Sequence, residues 1–188
     1  MSYTLYHYYE QDIGPFRNLS SLPTEEADQI MNRIRLAGNQ FASRRSPDYM
    51  SIRRDVERMA RSLFTDKGGQ PRSLFPYYFT LEACQWLESW YTIPCKLSIS
   101  LDELPDDRIS FTYGDLFPTM RYEDGKPYRK QVYTKSEIAA LVDQYGLPQI
   151  WNSNGDHGPE RYIEFQLWDD EIIDQFVNRI HAERRSRT

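Results

Sequence analysis

The feature that most constrains this chain is a change of hydrophobic period along it. Between residues 24 and 64 apolar side chains recur every three to four positions, whereas in residues 97–113 and 162–168 they alternate with polar ones. The first spacing gathers side chains on one stripe of a helix and the second gathers them on one face of a strand. The pattern predicts an α+β fold, a mainly antiparallel sheet packed by about four to five helices. At 188 residues the chain is long enough for one core and short for two full domains. Residues 1–181 are expected to form a single globular domain, with 182–188 a polar, frayed tail.

Several elements carry their own start and stop signals. Leu5 to Glu10 is an aromatic opening strand, closed by a turn at Ile13-Gly14-Pro15-Phe16. Pro23 and the acidic Glu25 and Glu26 open a first helix, whose stripe of Ala27, Ile30, Met31 and Ile34 ends at Gly38. Ser46 is read as the cap of a second helix with Tyr49, Ile52, Val56, Met59, Leu63 and Phe64 on its inner face. Its other face, with Arg53, Arg54, Glu57, Arg58 and Arg61, reads as an exposed basic surface. Phe75 to Phe79 is a short extended run, and Thr80 is read as the cap of a short helix carrying Trp86, Leu87 and Trp90.

Leu97 to Leu101 and Ile109 to Tyr113 are expected to pair with each other, leaving one wet face. A second hairpin is expected to join Met120-Arg121-Tyr122 to Tyr128–Tyr133 across the turn at Gly125. Thr134 and Glu137 form a capping box before the stripe of Ile138, Leu141 and Val142. A strand over 162–168 with Glu164 at its middle precedes a helix opened by Asp169, Asp170 and Glu171.

Composition excludes several classes of function. No stretch has the roughly 18 apolar residues of a membrane span, and the N-terminus lacks a secretory pattern, so a cytoplasmic location is expected. Cys84 and Cys95 are read as buried, reduced thiols rather than a disulfide or metal clip. His7, His157 and His181 lie in unrelated contexts, which argues against a metal site. No phosphate-cradling loop, dinucleotide fingerprint or nucleophile elbow is present. Residues 33–73 hold ten Lys and Arg against four Asp and Glu, a local +6 that leaves −11 elsewhere in a chain of net charge −5. Arg54 and Arg58 are therefore candidates for an anionic ligand or a protein partner. The overall pI of about 5.3 argues against strong nonspecific nucleic-acid binding.

The remaining polar and aromatic set on strands is His7, Tyr8 and Tyr9 near the start, Ser110 to Asp115 in the middle and Glu164 near the end, with Tyr8, Tyr78 and Tyr113 as candidate ligand contacts. Leu5-Tyr6-His7, Phe75–Phe79 and Arg161-Tyr162-Ile163-Glu164-Phe165 together resemble the ADP-ribosyltransferase superfamily. That resemblance implies NAD as cosubstrate, with His7 holding the nicotinamide ribose, an aromatic stacking on nicotinamide, and Glu164 stabilising the developing sugar cation. The opening string reads Tyr-His-Tyr-Tyr where the superfamily has Tyr-His-Gly-Thr. Leu5 to Leu19 and Ile109 to Pro118 also resemble an uncharacterised bacterial family, which implies no activity. Two functions are carried forward: a binding or interaction protein, and an enzyme using NAD through His7 and Glu164.

Overall fold

Alternation along the strands serves both faces of the sheet, and two layers of helices read it. The computed structural model describes residues 3–38 and 41–185. The chain runs β1 (Thr4–Glu10), α1 (Thr24–Ala37), α2 (Tyr49–Asp66), β2 (Tyr77–Leu81), α3 (Gln85–Glu88) and β3 (Pro94–Ser100). It continues through β4 (Ile109–Tyr113), α4 (Leu116–Arg121), α5 (Lys135–Tyr145), α6 (Pro148–Trp151), β5 (Ile163–Leu167) and α7 (Asp170–Arg185). The strands form one antiparallel sheet in the order β3-β1-β2-β5-β4. Among the described residues no helix is long and apolar enough to cross a membrane.

Register sorts the side chains. Leu5 faces Leu81, which faces Ile163, which faces Tyr113; this row lies in the main core with Phe79, Phe111 and Phe165, under Ile138 of α5 and Ile173 and Phe176 of α7. The neighbouring row, Tyr6, Thr80, Glu164 and Thr112, points to the other face. There Val56, Ala60 and Phe64 of α2 pack with Leu116, Met120 and Trp168.

The alternation predicts a wet second face, but α2 covers it and keeps it dry. Every residue of β4 and β5 is buried. The buried polar groups satisfy one another: Trp168 Nε1 donates to Ser110 Oγ at 2.8 Å, Ser110 Oγ to Gln166 Oε1 at 2.9 Å, and Gln166 Nε2 to Thr112 Oγ1 at 3.1 Å. Such a chain removes the cost of burying unpaired polar atoms.

Other local expectations give way to longer-range packing. β3 and β4 do not pair but form opposite edges of the sheet, because residues 101–108 form two 3-10 turns in place of a hairpin loop. Met120 and Arg121 belong to α4, capped by Asp115, and Tyr133 makes only an isolated bridge to Phe111, so the second hairpin is absent. α2 starts at Tyr49 with Asp48, not Ser46, at its N-cap position, and Met59 is exposed while Glu57 is fully buried. Thr80 lies within β2. Cys84 is buried, but Cys95 is only partly so. α7 continues to Arg185, beyond the expected end at 181, and residues 186–188 lie outside the described residues. The Thr134–Glu137 capping box and the left-handed Gly38 that closes α1 (φ 68°) are present as read.

One feature of the sheet sets up everything on the α2 face. β1 pairs with β3 along its full length but with β2 only at Leu5 and Tyr6, after which the two strands part. His7 closes the gap. Its Nδ1 donates to the Tyr78 carbonyl at 2.8 Å and its Nε2 accepts the Phe16 N–H at 3.0 Å. A carbonyl can only accept and an amide N–H can only donate, so these bonds fix the neutral ring with its proton on Nδ1. The ring also lies 4.5 Å from that of Phe16 and 5.4 Å from that of Phe79, centroid to centroid.

Burial lowers the His7 imidazole from 6.5 to about 4, the bond to the Tyr78 carbonyl opposing this only in part. The unfolded chain therefore binds more protons than the folded one between those values, so stability rises with pH across this window and is complete above it. The contribution is on the order of 2–3 kcal/mol. We predict that His7→Gln lowers stability at neutral pH and flattens the loss of stability between pH 6.5 and 4. Urea denaturation of both proteins across that range checks this, and parallel wild-type and variant profiles would refute it.

Candidate functional site

Where β1 and β2 part, the α2 face of the sheet is hollow. Tyr8 of β1, Tyr78 of β2 and Glu164 of β5 border a concavity of about 310 Å³, which Arg53 of α2 and Asp115 at the start of α4 also line. This is the small end of the range for ligand sites. The walls are largely tyrosine because β1 and β2 present alternate aromatic residues to this side.

The floor holds a shared proton. The Tyr162 hydroxyl lies 3.0 Å from Asp115 Oδ2 and 3.2 Å from Glu164 Oε2. A phenol has one proton to donate, so two carboxyl groups on one hydroxyl require that one of them supply a proton itself. Glu164 Oε1 accepts from the Leu116 N–H and from the Gln166 amide, both at 3.2 Å, which leaves Oε2 for the proton. Asp115 is the pure acceptor: Oδ1 takes the Phe117 N–H at 2.7 Å and caps α4. Burial first, and then the charge of Asp115, push the Glu164 carboxyl well above the usual range. Burial and the same neighbours hold the Tyr162 phenol protonated as well. A proton-bearing acid beside an acceptor carboxylate is an arrangement that can serve acid–base chemistry.

One wall is a compensated buried charge. Glu57, fully buried, accepts from Arg53 Nε at 2.9 Å and from the Tyr78 hydroxyl at 2.6 Å. The Arg53 guanidinium carbon sits 5.0 Å from the centre of the Tyr78 ring. Each member needs the others, because an isolated charge in this position would be strongly destabilising.

Of the residues singled out from sequence, the fold brings Tyr8, Tyr78 and Glu164 together. His7 borders the same hollow but enters from the opposite face of the sheet, and both its ring nitrogens are bonded to backbone. Tyr113 faces the main core, where its hydroxyl donates to the Gly146 carbonyl at 2.7 Å. The Arg-rich side of α2 is not a free basic surface. Arg54 donates to the Ser20 and Leu22 carbonyls and to Thr24 Oγ1, and Arg61 donates to the Pro71 and Ser73 carbonyls. Arg58 is exposed, away from the hollow, and pairs with Asp55. Sequence reasoning gave Tyr162 no role of its own, placed Asp115 in the polar strand set without a role, and offered Arg53 only as a phosphate contact on an exposed helix face. A polar residue four before Glu57 and an Asp capping a helix are visible signals, but their convergence requires the register of β5.

Glu164→Gln places an amide donor where the carboxylic proton points at Tyr162. The expected result at pH 7 is a stability within about 1 kcal/mol of wild type, against a loss of about 2–3 kcal/mol for Glu164→Ala. Infrared spectra are expected to show a protonated-carboxyl band near neutral pH that disappears in Glu164→Gln; its absence from the wild type would place the proton elsewhere.

No protein-family model matches this sequence, and no curated protein or solved structure does so either.

Proposed function

We propose that this chain is a binding protein for a small planar ligand, held in the tyrosine-walled hollow on the α2 face. The observation that carries this reading is the hollow itself: about 310 Å³ of concave space with aromatic walls and a few aimed polar groups on its floor. A flat ring can stack on Tyr8, Tyr78 or Tyr91, and the tyrosines cost little conformational entropy when they bind. The free thiols, buried Cys84 and partly buried Cys95, suit a reducing compartment, and a cytoplasmic location goes with this reading.

A ligand at 100 times its dissociation constant adds about 2.7 kcal/mol to the folded state. For a chain of this size that is a rise in Tm of roughly 5–10 °C. A thermal-shift screen of planar aromatic compounds is expected to give such rises, and Ala42→Trp, which fills the hollow from the turn before α2, is expected to abolish them. Hits that survive Ala42→Trp would move the site elsewhere.

A second reading, NAD-dependent ADP-ribosyl transfer, draws on Glu164 in the same hollow. It proceeds without His7, whose nitrogens are engaged. It ranks second because the cation that develops on the ribose needs a negative charge, and a proton-bearing Glu164 offers none. Millimolar NAD is expected to remain intact on incubation with the protein. Release of nicotinamide that Glu164→Gln abolishes would reverse the ranking.

A further inference from the structure

We propose that Arg45, Tyr49 and Arg53 form an anion subsite within this hollow, and that its ligand is a planar base carrying a phosphate monoester, of the nucleoside monophosphate class. The inference rests on the binding reading above and names the ligand that the hollow takes.

The three residues are spaced four apart and all border the hollow. Arg45 lies just before α2, with its guanidinium carbon 4.4 Å from the centre of the Tyr49 ring. Tyr49 in turn stacks on Phe117, with ring centres 5.1 Å apart and planes at 27°. The guanidinium is thus positioned by stacking and not by a carboxylate, and Arg45 makes no ion pair among the described residues. Arg53 uses Nε for Glu57. Its terminal nitrogens make no hydrogen bond among the described residues, which leaves one edge of the fork for a ligand.

Both guanidiniums border the same hollow as Tyr91, whose hydroxyl donates to the Tyr8 carbonyl at 3.0 Å. Arg17 is a third cation on the rim, its Nε bonded only to a carbonyl, that of Ile13. The carboxylates that border the same space are already engaged. Asp115 is held by Tyr162 and the Phe117 N–H, and Glu10 by the Thr92 and Ile93 N–H groups. Glu164 carries a proton. What faces a ligand is therefore cationic at one end and aromatic along the walls, while the floor carries one carboxylate, Asp115, whose oxygens are taken by Tyr162 and the Phe117 N–H. Planar guanidinium forks match phosphate oxygens in geometry, and a group carrying more than one negative charge uses two of them. The base then lies against the tyrosines, with its hydrogen-bonding edge toward the floor.

The test is a fluorescence titration of the protein with AMP, adenosine and inorganic phosphate at low salt. AMP is expected to bind about 10-fold or more tightly than adenosine. Arg45→Ala, checked for folding by circular dichroism, is expected to bring AMP down to the adenosine level while leaving adenosine unchanged. Arg45→Lys keeps the charge but not the fork and is expected to fall between, and Arg58→Ala, outside the hollow, is expected to match wild type. Equal binding of AMP and adenosine, both abolished by Ala42→Trp, would end this proposal and leave the binding reading intact. AMP binding that is insensitive to Arg45→Ala, or absence of AMP binding altogether, would also overturn it; planar hits from the screen that Ala42→Trp blocks would still uphold the hollow.

Discussion

The hollow exists because two neighbouring strands stop pairing, and that divergence is tolerated because one side chain satisfies the backbone it exposes. The Tyr78 carbonyl, left unpaired where β1 parts from β2, would cost about as much as a lost hydrogen bond. His7 takes it with Nδ1, and its Nε2 accepts the N–H of Phe16 in the loop after β1. A neutral imidazole is well suited to this, since it presents one donor and one acceptor on opposite sides of a rigid ring. His7, which the resemblance casts as holding the nicotinamide ribose, is the residue that bridges the parted strands.

The same logic of satisfaction governs the rest of the α2 face. The polar row from Ser110 through Gln166 to Thr112 is buried yet continuous, and it ends at Glu164, where the donors run out and a proton must be added. Arg53, Glu57 and Tyr78 form a second closed set. Donors remain unspent beside the hollow at Arg45 and at the outer edge of Arg53. Charge segregation along the sequence is therefore a poor guide to charge presented to a ligand. Arg54 and Arg61 are spent on carbonyls of the segments that wrap α2, and a residue count cannot register a carbonyl.

Much of the architecture was legible from local pattern. The helical stripes of α1 and α7, the capping box of α5 and the alternation of β3, β4 and β5 each follow from interactions among residues a few positions apart. Pairing was not legible. β3 and β4 are consecutive and alternate well, yet they form opposite edges, because β3 pairs with β1 and β4 with β5. In the site, Tyr8, Tyr78 and Glu164 were visible as polar or aromatic strand residues and Asp115 stood in the same set, while the bonds that join Tyr162 and Asp115 to Glu164 and the place of Arg53 beside the same hollow depend on strand register and helix packing.

What the sequence by itself determined is therefore the class of the fold and the ends of its best-capped helices, since period and capping depend on neighbours within one or two turns. The tertiary structure alone decided which face each strand residue joined, which arginines were spent and where a proton had to sit. Those depend on register and on donors and acceptors far apart in the chain, and a shift of one residue in pairing would have put every one of them on the other side of the sheet.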